Sequence, residues 1–306
     1  MSFHNDLDNP RLPSRVQRKR ARQKRSRWRR IVFLLTLVLT VFIGYEWASG
    51  WLGVPSLTSL TTGLNSKQPI NILLVGSDSR GGDRGRSDTI VLATVNLREK
   101  QVSLLSIPRD TRTKVPGHGT TKINHAYAYG GIELLEKTVE DLMDVSINYY
   151  LQTDFDGFAR IIDLLGGVTL EVEKRMYYPE EGINLKQGLQ QLDGDAALGY
   201  VRYRSDGLGD IGRIERQQKF FVAAREQFLT YRTLVKAPQI TSELMQCVNT
   251  NLPVAKLLQI ANGLKSMEQE QFQTYLLPGR PQTINGLSYW VPKDKEMRSL
   301  IAQITK

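Results

Sequence analysis

Four arginines and two aspartates lie within one short, glycine-containing stretch of the chain. The stretch runs from Tyr200 to Gln218 and reads YVRYRSDGLGDIGRIERQQ. Guanidinium groups that converge beside a glycine-rich turn and a helix start form a receptor for a multiply charged anion, above all a phosphate or diphosphate. Single charges on loops are usually solvated, but this clustering favours an anion site. The residues concerned are Arg202, Arg204, Asp206, Asp210, Arg213 and Arg216.

The spacing of the first two arginines constrains their geometry. Arg202 and Arg204 are separated by one residue, so on an extended backbone their side chains point to the same side, whereas on a helix they diverge. Residues 214–228 have the apolar spacing of an amphipathic helix. We therefore expect the paired arginines to act together just before a helix.

A second charged stretch, GSDSRGGDRGRSDT at residues 76–89, lies between two predicted strands. A loop at the carboxyl end of a buried strand is where α/β folds bind ligands. Aspartates supply the hard oxygens that Mg²⁺ prefers, together with substrate phosphates. The loop lacks the Gly-Lys-Ser/Thr ending of a Walker A loop, and a turn capped by its own aspartates remains the alternative. Its charged residues are Asp78, Arg80, Asp83, Arg84, Arg86 and Asp88.

Two further motifs follow the third predicted strand. In SIPRDT, Arg109 directly follows Pro108 at the strand end, which predicts that Arg109 reaches the same sheet edge as the Asp78 loop. The segment TKINHAYAYGG, residues 121–131, contributes Lys122 and His125. Because a histidine among aromatic residues more often packs or donates a hydrogen bond than catalyses, we do not assign His125 a catalytic role.

Other kinds of chemistry find no support in the sequence. There is no Gly-x-Ser-x-Gly motif and no zinc-ligand spacing, and Cys247 is the single cysteine, which excludes an internal disulfide and a Cys-based zinc site. Arginines, a few aspartates and glycine loops suit phosphoryl chemistry, in which positioning and charge neutralisation dominate. We therefore expect a phosphoryl-transfer site.

The elements that must position these residues alternate between strands and helices. This interleaving predicts a three-layer α-β-α sandwich with a mixed central sheet, because helices then cover both faces of the sheet. The predicted strands are 70–76, 89–97, 101–108, 147–153, 168–173, 272–279 and 288–292, and the predicted helices are 131–144, 155–167, 214–228, 253–264 and 293–304.

The positive charge of the chain is concentrated at its beginning. Residues 1–30 carry eleven Lys and Arg against two Asp, a net +9, while the whole chain has a net charge of +10. The rest of the chain is therefore nearly neutral, and a nucleic-acid partner loses most of its support. The polar, basic composition of residues 1–30 predicts disorder.

An uncharged apolar run follows the basic residues. As a helix, the uncharged residues 31–45 would span only about 22 Å, but extension to about residue 51, with Glu46 near the outer interface, gives a full span. Trp28, Tyr45, Trp47 and Trp51 bracket the run, and the basic flank places the N-terminus in the cytoplasm. A signal peptide cleaved near Ala48 is the alternative, but its basic region would be unusually long. We predict a single-pass membrane protein with a basic cytoplasmic tail (1–30), a transmembrane helix (31–51), a linker (52–68) and an extracytoplasmic domain (69–306).

Taken together and in this order, the motifs resemble those of a known family. The basic anchor, GSDSR…RSDTIVL, SLLSIPRDT, KINHAYAYGG and YVRYR…GDIGRIERQQKF are similar to the LytR–CpsA–Psr family of cell-envelope proteins. The resemblance covers about residues 70–306. It implies a membrane-anchored domain outside the cytoplasmic membrane that binds a polyprenyl diphosphate, with the lipid tail in an apolar cavity and the head group held by arginines.

The resemblance also implies an activity. The family transfers a glycopolymer phosphate from a polyprenyl-diphosphate carrier to peptidoglycan, forming a phosphodiester and releasing polyprenyl phosphate. We expect a phosphotransferase that depends on Mg²⁺ or Mn²⁺. Two alternatives remain open at this point: hydrolysis of the lipid diphosphate at the same residues, and a membrane-anchored transcriptional regulator.

Site residues are carried over by motif. Asp78 and Asp88 match the metal-binding aspartates, with Asp83 as the alternative to Asp88. Arg109 matches a catalytic arginine at the diphosphate, and Asp210 is expected to orient or deprotonate the acceptor hydroxyl. The residues expected to bind the diphosphate are Arg80, Arg86, Arg109, Arg202, Arg204, Arg213 and Gln217.

Overall fold

A mixed sheet of six strands forms the centre of the protein. The computed structural model describes residues 68–78, 85–204, 209–228, 243–265 and 267–305. In order across the sheet, the strands are β11 (Asn249–Thr250), β6 (Tyr149–Thr153), β1 (Ile70–Ser77), β2 (Ser87–Asn96), β3 (Gln101–Ser106) and β12 (Phe272–Leu276).

Helices and short hairpins surround this sheet. The hairpins and paired strands are β4 (Arg112–Val115) with β5 (Gly119–Lys122), β7 (Val168–Val172) with β10 (Gly188–Leu192), β8 (Met176–Tyr178) with β9 (Ile183–Leu185), and β13 (Gly279–Ile284) with β14 (Leu287–Pro292). The helices are α1 (Asn124–Met143), α2 (Phe155–Leu165), α3 (Gly194–Arg202), α4 (Gly209–Phe228), α5 (Val254–Lys265) and α6 (Asp294–Ile304), with 3₁₀ turns at Pro179–Glu181 and Gln269–Gln271.

The strand directions confirm the predicted α/β fold with a mixed sheet. β1 runs antiparallel to β2 and parallel to β6, β2 runs antiparallel to β3, and β3 runs parallel to β12. The nearly continuous apolar sequence of β1 suits a central strand that is covered on both faces.

The side chains of β1 alternate between two apolar cores. Leu73 and Val75 pack in the core that α1 and α6 cover, whereas Ile70 and Ile72 pack in the core that includes Ile260 of α5. This division follows from the two-residue period of a strand. Helices therefore lie on both sides of the sheet, as the interleaved pattern predicted.

A third core joins α2, α3 and α4 to the strands β7 to β10. Tyr200 of α3 is fully buried in it, beside Ile162 of α2 and Phe220 of α4. Asp193 accepts a hydrogen bond from the Ala196 backbone N–H and so caps the start of α3. This core matters for function because α3 and α4 carry the arginines identified in the sequence.

Several predicted boundaries differ from the structure. Helix α4 begins at Gly209 rather than at residue 214, because its first turn is too polar for an apolar period to mark it. The single strand expected at 272–279 is divided into β12 and the start of β13. Helix α1 begins before residue 131, and Gly130 and Gly131 break its geometry, with a φ of +67° at Gly131.

The membrane-anchor predictions concern residues that the structure does not describe. The tail (1–30), the transmembrane helix (31–51) and all but the last residue of the linker (52–68) lie outside the described residues. Within the described ranges, no helix combines the length and the apolar character needed to cross a membrane.

Candidate active site

Asp88 occupies a β-bulge at the end of the β1–β2 ladder. Gly76 pairs with Thr89 and Ser77 pairs with Ser87, so Asp88 is one extra residue in β2. A bulge re-aims the extra side chain, and bulges are frequent beside active sites. A Cβ at Gly76 would lie 3.2 Å from the Thr89 Cβ, so glycine lets the two strands pair closely here.

Asp78 joins the two ends of the loop that follows β1. Its backbone N–H donates to the Arg86 carbonyl at 3.1 Å, and its Oδ1 accepts a hydrogen bond from the Arg86 backbone N–H. These two bonds fix the Asp78 carboxylate close to the bulge. The loop between them, residues 79–84, is outside the described residues, and the predicted site residue Arg80 lies in it.

Three arginines from different elements converge on Asp88. Arg109 Nη1 lies 2.6 Å from Oδ1 and Arg204 Nη2 lies 3.5 Å from Oδ2, while Arg213 Nη2 donates to the Asp88 carbonyl at 3.2 Å. Burial alone would raise the pKa of Asp88, but the hydrogen bond and charge of Arg109, followed by the charges of Arg213 and Arg204, hold this pKa below its ordinary value. The carboxylate is therefore ionised at neutral pH.

Arg109 begins a row of alternating charges that leads away from Asp88. Its Nε lies 4.0 Å from Asp110 Oδ2, and Asp110 Oδ1 lies 2.8 Å from Lys122 Nζ. The backbone carbonyl of Arg109 accepts a hydrogen bond from the Asn124 N–H at 3.2 Å. The arginine is thus held both through its side chain and through the main chain.

Arg202 and Arg204 lie where α3 gives way to extended backbone. Arg202 is the last residue of α3, and Tyr203 has a φ of −56° and a ψ of 133°. Arg202 Nη2 lies 2.7 Å from Glu181 Oε2, and its guanidinium lies 4.4 Å from the centroid of the Phe155 ring. Arg202 is thus still helical, and the extended backbone on which their spacing would place both side chains on one side begins only at Tyr203.

Helix α4 contributes buried polar side chains to the same region. Arg213 and Arg216 are each 2% exposed and Gln217 is 8% exposed. Gln217 Nε2 donates to Thr89 Oγ1 at 3.0 Å and to the Val201 carbonyl at 3.4 Å. Gln217 therefore links α4 to β2 and to the end of α3.

Arg216 holds the backbone between Arg202 and Arg204. Its Nη2 donates to the carbonyl of Tyr203, the residue between Arg202 and Arg204, and its Nη1 lies 3.9 Å from Glu173 Oε1. Its guanidinium also lies 5.3 Å from the centre of the Tyr203 ring. Arg216 thus positions the backbone that carries both arginines.

An apolar cavity of about 290 Å³ opens beside these charged groups. Asp88, Arg202, Arg204, Arg213 and Gln217 all line it, and the rest of its wall comes from β1, β6, α2, α3 and α4. The arrangement suits an amphiphile with a long apolar tail and an anionic head. Apolar residues of the wall include Leu74, Leu151, Phe155, Phe158, Leu198 and Phe221.

A comparison with protein families shows the family to which the chain belongs. A sequence model of the LytR_cpsA_psr family matches residues 54–306, which is most of the 306-residue chain. The chain belongs to the LytR–CpsA–Psr family. The resemblance inferred from the motifs is therefore confirmed over the whole described region.

Curated relatives agree with this membership. A protein of Oceanobacillus iheyensis named polyisoprenyl-teichoic acid–peptidoglycan teichoic acid transferase TagU is 37% identical over 246 residues, covering 78% of this chain and 76% of the relative. A protein of Staphylococcus aureus named regulatory protein MsrR is 35% identical over 237 residues, covering 77% of this chain and 64% of the relative.

Solved structures of the LytR–CpsA–Psr type share the fold. Bacillus subtilis TagV superposes with a TM-score of 0.71 at 29% identity, covering 78% of this chain and 98% of TagV. A structure described as TagT bound to LIIa-WTA superposes with a TM-score of 0.66 at 27% identity, covering 78% of this chain and 90% of TagT. The α/β fold with a mixed central sheet is common to all of them.

The acidic residues at the sheet edge fit a hard divalent cation. Asp88 is ionised, and Asp78 is held near it by two hydrogen bonds to Arg86. Among the residues that the structure describes, no group of three or more His, Cys, Asp or Glu side chains forms a complete metal site. Two carboxylates that rely on substrate phosphates for the remaining ligands are typical of Mg²⁺.

The structure brings most of the predicted LytR–CpsA–Psr site residues together. Arg109 contacts Asp88 but is not part of the cavity wall, and Arg86 is exposed and contributes its backbone to the Asp78 loop. Asp210 belongs to the first turn of α4, and the position of its side chain is not described. The residues gathered around the cavity mouth are Asp88, Arg109, Arg202, Arg204, Arg213 and Gln217.

Sequence reasoning missed three contributors to this site. Glu181 contacts Arg202 from a 3₁₀ turn 21 residues earlier in the chain, and Phe155 contacts it from the start of α2. Arg216 was recognised as part of the arginine cluster, but its hydrogen bond to the Tyr203 carbonyl was not predicted. No local pattern marks such long-range pairs, whereas the buried spacing of Arg213, Arg216 and Gln217 along α4 could have revealed an inward polar face.

Proposed function

We propose that this protein transfers a glycopolymer phosphate from a polyprenyl-diphosphate carrier to peptidoglycan at the outer side of the cytoplasmic membrane. The observation that carries the proposal is the apolar cavity that Asp88, Arg202, Arg204 and Arg213 also line. The name of the TagU relative, a polyisoprenyl-teichoic acid–peptidoglycan teichoic acid transferase, supports the same donor and acceptor classes.

The cavity would hold the lipid tail and the arginines would hold its head. Each buried CH₂ group contributes about 0.8 kcal/mol, so several isoprene units provide strong binding without any polar contact. A diphosphate needs several positive charges to offset its own, and bidentate guanidinium groups match the geometry of phosphate oxygens. We assign this role to Arg202, Arg204 and Arg213, with Arg109 at the phosphate nearest Asp88.

The transfer breaks a phosphoanhydride bond of the diphosphate and forms a phosphate ester bond to the acceptor. The oxygen of an acceptor sugar hydroxyl attacks the phosphorus atom that bears the glycan. The bond from this phosphorus to the bridging oxygen breaks, and polyprenyl phosphate leaves with that electron pair. The hydroxyl proton passes to a base, for which we propose Asp210 on α4. The arginines stabilise the charge that develops on the leaving phosphate.

A divalent cation completes this proposal. We assign Asp78 and Asp88 as its protein ligands, because both present carboxylate oxygens at the edge where the diphosphate would lie. Mg²⁺ or Mn²⁺ bound there supplies charge neutralisation of the diphosphate. The arginines that contact Asp88 keep its carboxylate ionised and oriented, so the ligand is ready before substrate binds.

The test compares an arginine of the site with an arginine far from it. Arg204→Ala is expected to lower transfer by about 10²- to 10³-fold, as for the loss of one group that stabilises transition-state charge. Arg98→Ala is the matched control, since its side chain is 71% exposed and forms an ion pair with the neighbouring Glu99. The assay uses the full chain in detergent, a lipid-diphosphate-linked glycan and peptidoglycan.

The same assay separates transfer from hydrolysis. We expect polyprenyl phosphate to be released only when peptidoglycan is present. Equal release without peptidoglycan would assign the site to a lipid-diphosphate hydrolase instead. An unchanged rate for Arg204→Ala would contradict both assignments, because both reactions use the same anion site.

A further inference from the structure

Aromatic residues of the segment KINHAYAYGG, together with His118 and Tyr289 from outside it, offer aromatic surface that the proposed reaction has not yet used. We infer that this surface, the aromatic platform formed by His118, His125, Tyr129 and Tyr289, binds the glycan strand of the peptidoglycan acceptor. The inference rests on the proposed function and names the part of the protein that receives the second substrate.

Two rings of the platform stack on each other, and a third meets the edge of one of them. His118 and Tyr129 lie with ring centroids 4.3 Å apart and an interplanar angle of 22°, and His125 meets the edge of Tyr129 at 5.9 Å. Tyr129 is 47% exposed, and His118 is exposed as well. Large rings left open to water offer apolar surface to a ligand at little conformational cost.

Backbone hydrogen bonds join the platform to the active site. Three consecutive residues accept hydrogen bonds through their backbone carbonyls. Arg109 accepts from the Asn124 N–H at 3.2 Å, Asp110 from the Trp290 N–H at 2.9 Å, and Thr111 from the Ile123 N–H at 2.8 Å. The start of α1, which carries His125 and Tyr129, and the strand that carries Tyr289 are therefore both fixed to the segment that begins with Arg109.

Polar groups complete the surface. His125 Nδ1 lies 2.8 Å from Thr121 Oγ1, which fixes the orientation of the imidazole ring. Lys122 Nζ lies 2.8 Å from Asp110 Oδ1 and 5.7 Å from the centroid of the Tyr289 ring. Aromatic faces bordered by oriented donors and acceptors match a pyranose, which has apolar C–H faces and a rim of hydroxyl and acetamido groups.

The order of contacts favours the acceptor over the donor glycan. From the cavity, the contacts run through Asp88 to Arg109, then to Asp110 and Lys122, and finally to Tyr289. In an in-line displacement, the attacking hydroxyl approaches from the side opposite to the leaving group. We assign the leaving polyprenyl phosphate to the cavity and the acceptor to the platform, which is reached through Arg109 and Asp110 rather than through the cavity wall.

The kinetic test uses Tyr129→Ala and a matched control. We expect the KM for peptidoglycan to rise about tenfold, which corresponds to about 1.4 kcal/mol, with an unchanged KM for the lipid-linked donor. Tyr177→Ala removes a tyrosine that is exposed to a similar degree, 57%, and that lies on β8 away from this surface, so its constants should equal those of the wild type. Tyr129→Phe keeps the ring and should restore most of the affinity.

Two results would overturn the inference. A rise in the KM for the donor instead of the acceptor would show that the platform binds the donor glycan. Equal KM values for Tyr129→Ala and wild type would show that it binds neither. An unchanged KM for the donor separates loss of acceptor binding from loss of folding, because a folding defect would impair the donor site as well.

A binding measurement keeps this inference separate from the proposed function. The full-length protein in detergent is titrated with a soluble, peptide-free strand of β-1,4-linked N-acetylhexosamines. Tenfold weaker binding by Tyr129→Ala and by His118→Ala supports the platform even when no transfer is detected, a result that would refute only the proposed function. Binding that these two substitutions leave unchanged refutes the platform whether or not transfer occurs.

Discussion

His125 has a pKa below the ordinary value for histidine because of three features of its surroundings. Burial contributes most, followed by the positive charges of Arg86 and Lys122, and the negative charge of Asp110 opposes them. The neutral imidazole is therefore the form that the folded protein favours. This form leaves one ring nitrogen to accept a hydrogen bond at neutral pH.

The sign of this pKa shift predicts how stability depends on pH. Since the folded pKa is lowered, the contribution of His125 is fully present above the ordinary value of 6.5 and is lost as the pH falls through the lower folded value. We expect His125→Gln to lose less free energy of unfolding than the wild type between pH 7 and pH 5. Urea unfolding at a series of pH values measures this, and parallel curves for the two proteins would contradict it.

Individual residues also show where sequence reasoning was sufficient. The types and spacing of Arg202, Arg204 and Arg213 predicted that they act together, and all three line the same cavity. The bulge at Asp88 was not predictable, because one extra residue in a strand leaves no signal in an alternating pattern. The ion pair between Arg202 and Glu181 likewise depends on how two distant segments pack.

At the scale of elements, helix α3 depends on the close approach of its first residue to α2. A Cβ at Gly194 would lie 2.3 Å from the Ala159 carbonyl oxygen, whereas a Cβ at Gly199, later in the same helix, would meet only Ile183 at 3.5 Å or more. The first contact is with backbone and cannot be relieved by a side-chain rotation. The second is an ordinary van der Waals contact.

These two glycines give a matched pair of substitutions. Gly194→Ala is expected to destabilise the protein by about 1–3 kcal/mol, because the helices must move apart. Gly199→Ala is expected to be neutral or stabilising by up to about 1 kcal/mol, since alanine favours helix over glycine. Chemical denaturation of the purified protein measures both. Equal effects of the two substitutions would show that α2 and α3 adjust freely.

The order and kind of the main elements followed from the sequence. The apolar run at 70–76 became β1, and the helix expected at 155–167 ends at Leu165 with Gly166 as its left-handed cap. The short pairs β4–β5 and β8–β9 were missed, because strands of three or four residues are too short to show a clear period. The second pair matters for the site, since the turn that joins its strands carries Glu181.

At the scale of the whole molecule, the charge distribution predicts the topology. Nearly all of the net charge of +10 belongs to residues 1–30, ahead of the apolar run, so we propose that the domain described here lies outside the membrane. A reporter that is active only outside the cytoplasm should give signal when fused to the C-terminus. A reporter that is active only in the cytoplasm should give none, and the reverse result would favour the membrane-anchored regulator.

The three carbonyls at Arg109, Asp110 and Thr111 have a consequence for divergence among related proteins. Main-chain acceptors are present whatever side chains the bound segments carry, so the platform keeps its register against the reacting centre without requiring particular residues at its rings. Its surface can therefore change by substitution while the catalytic geometry is preserved. We propose that exchanging the segment 118–129 between members of the family changes their preference for the glycan strand of the acceptor.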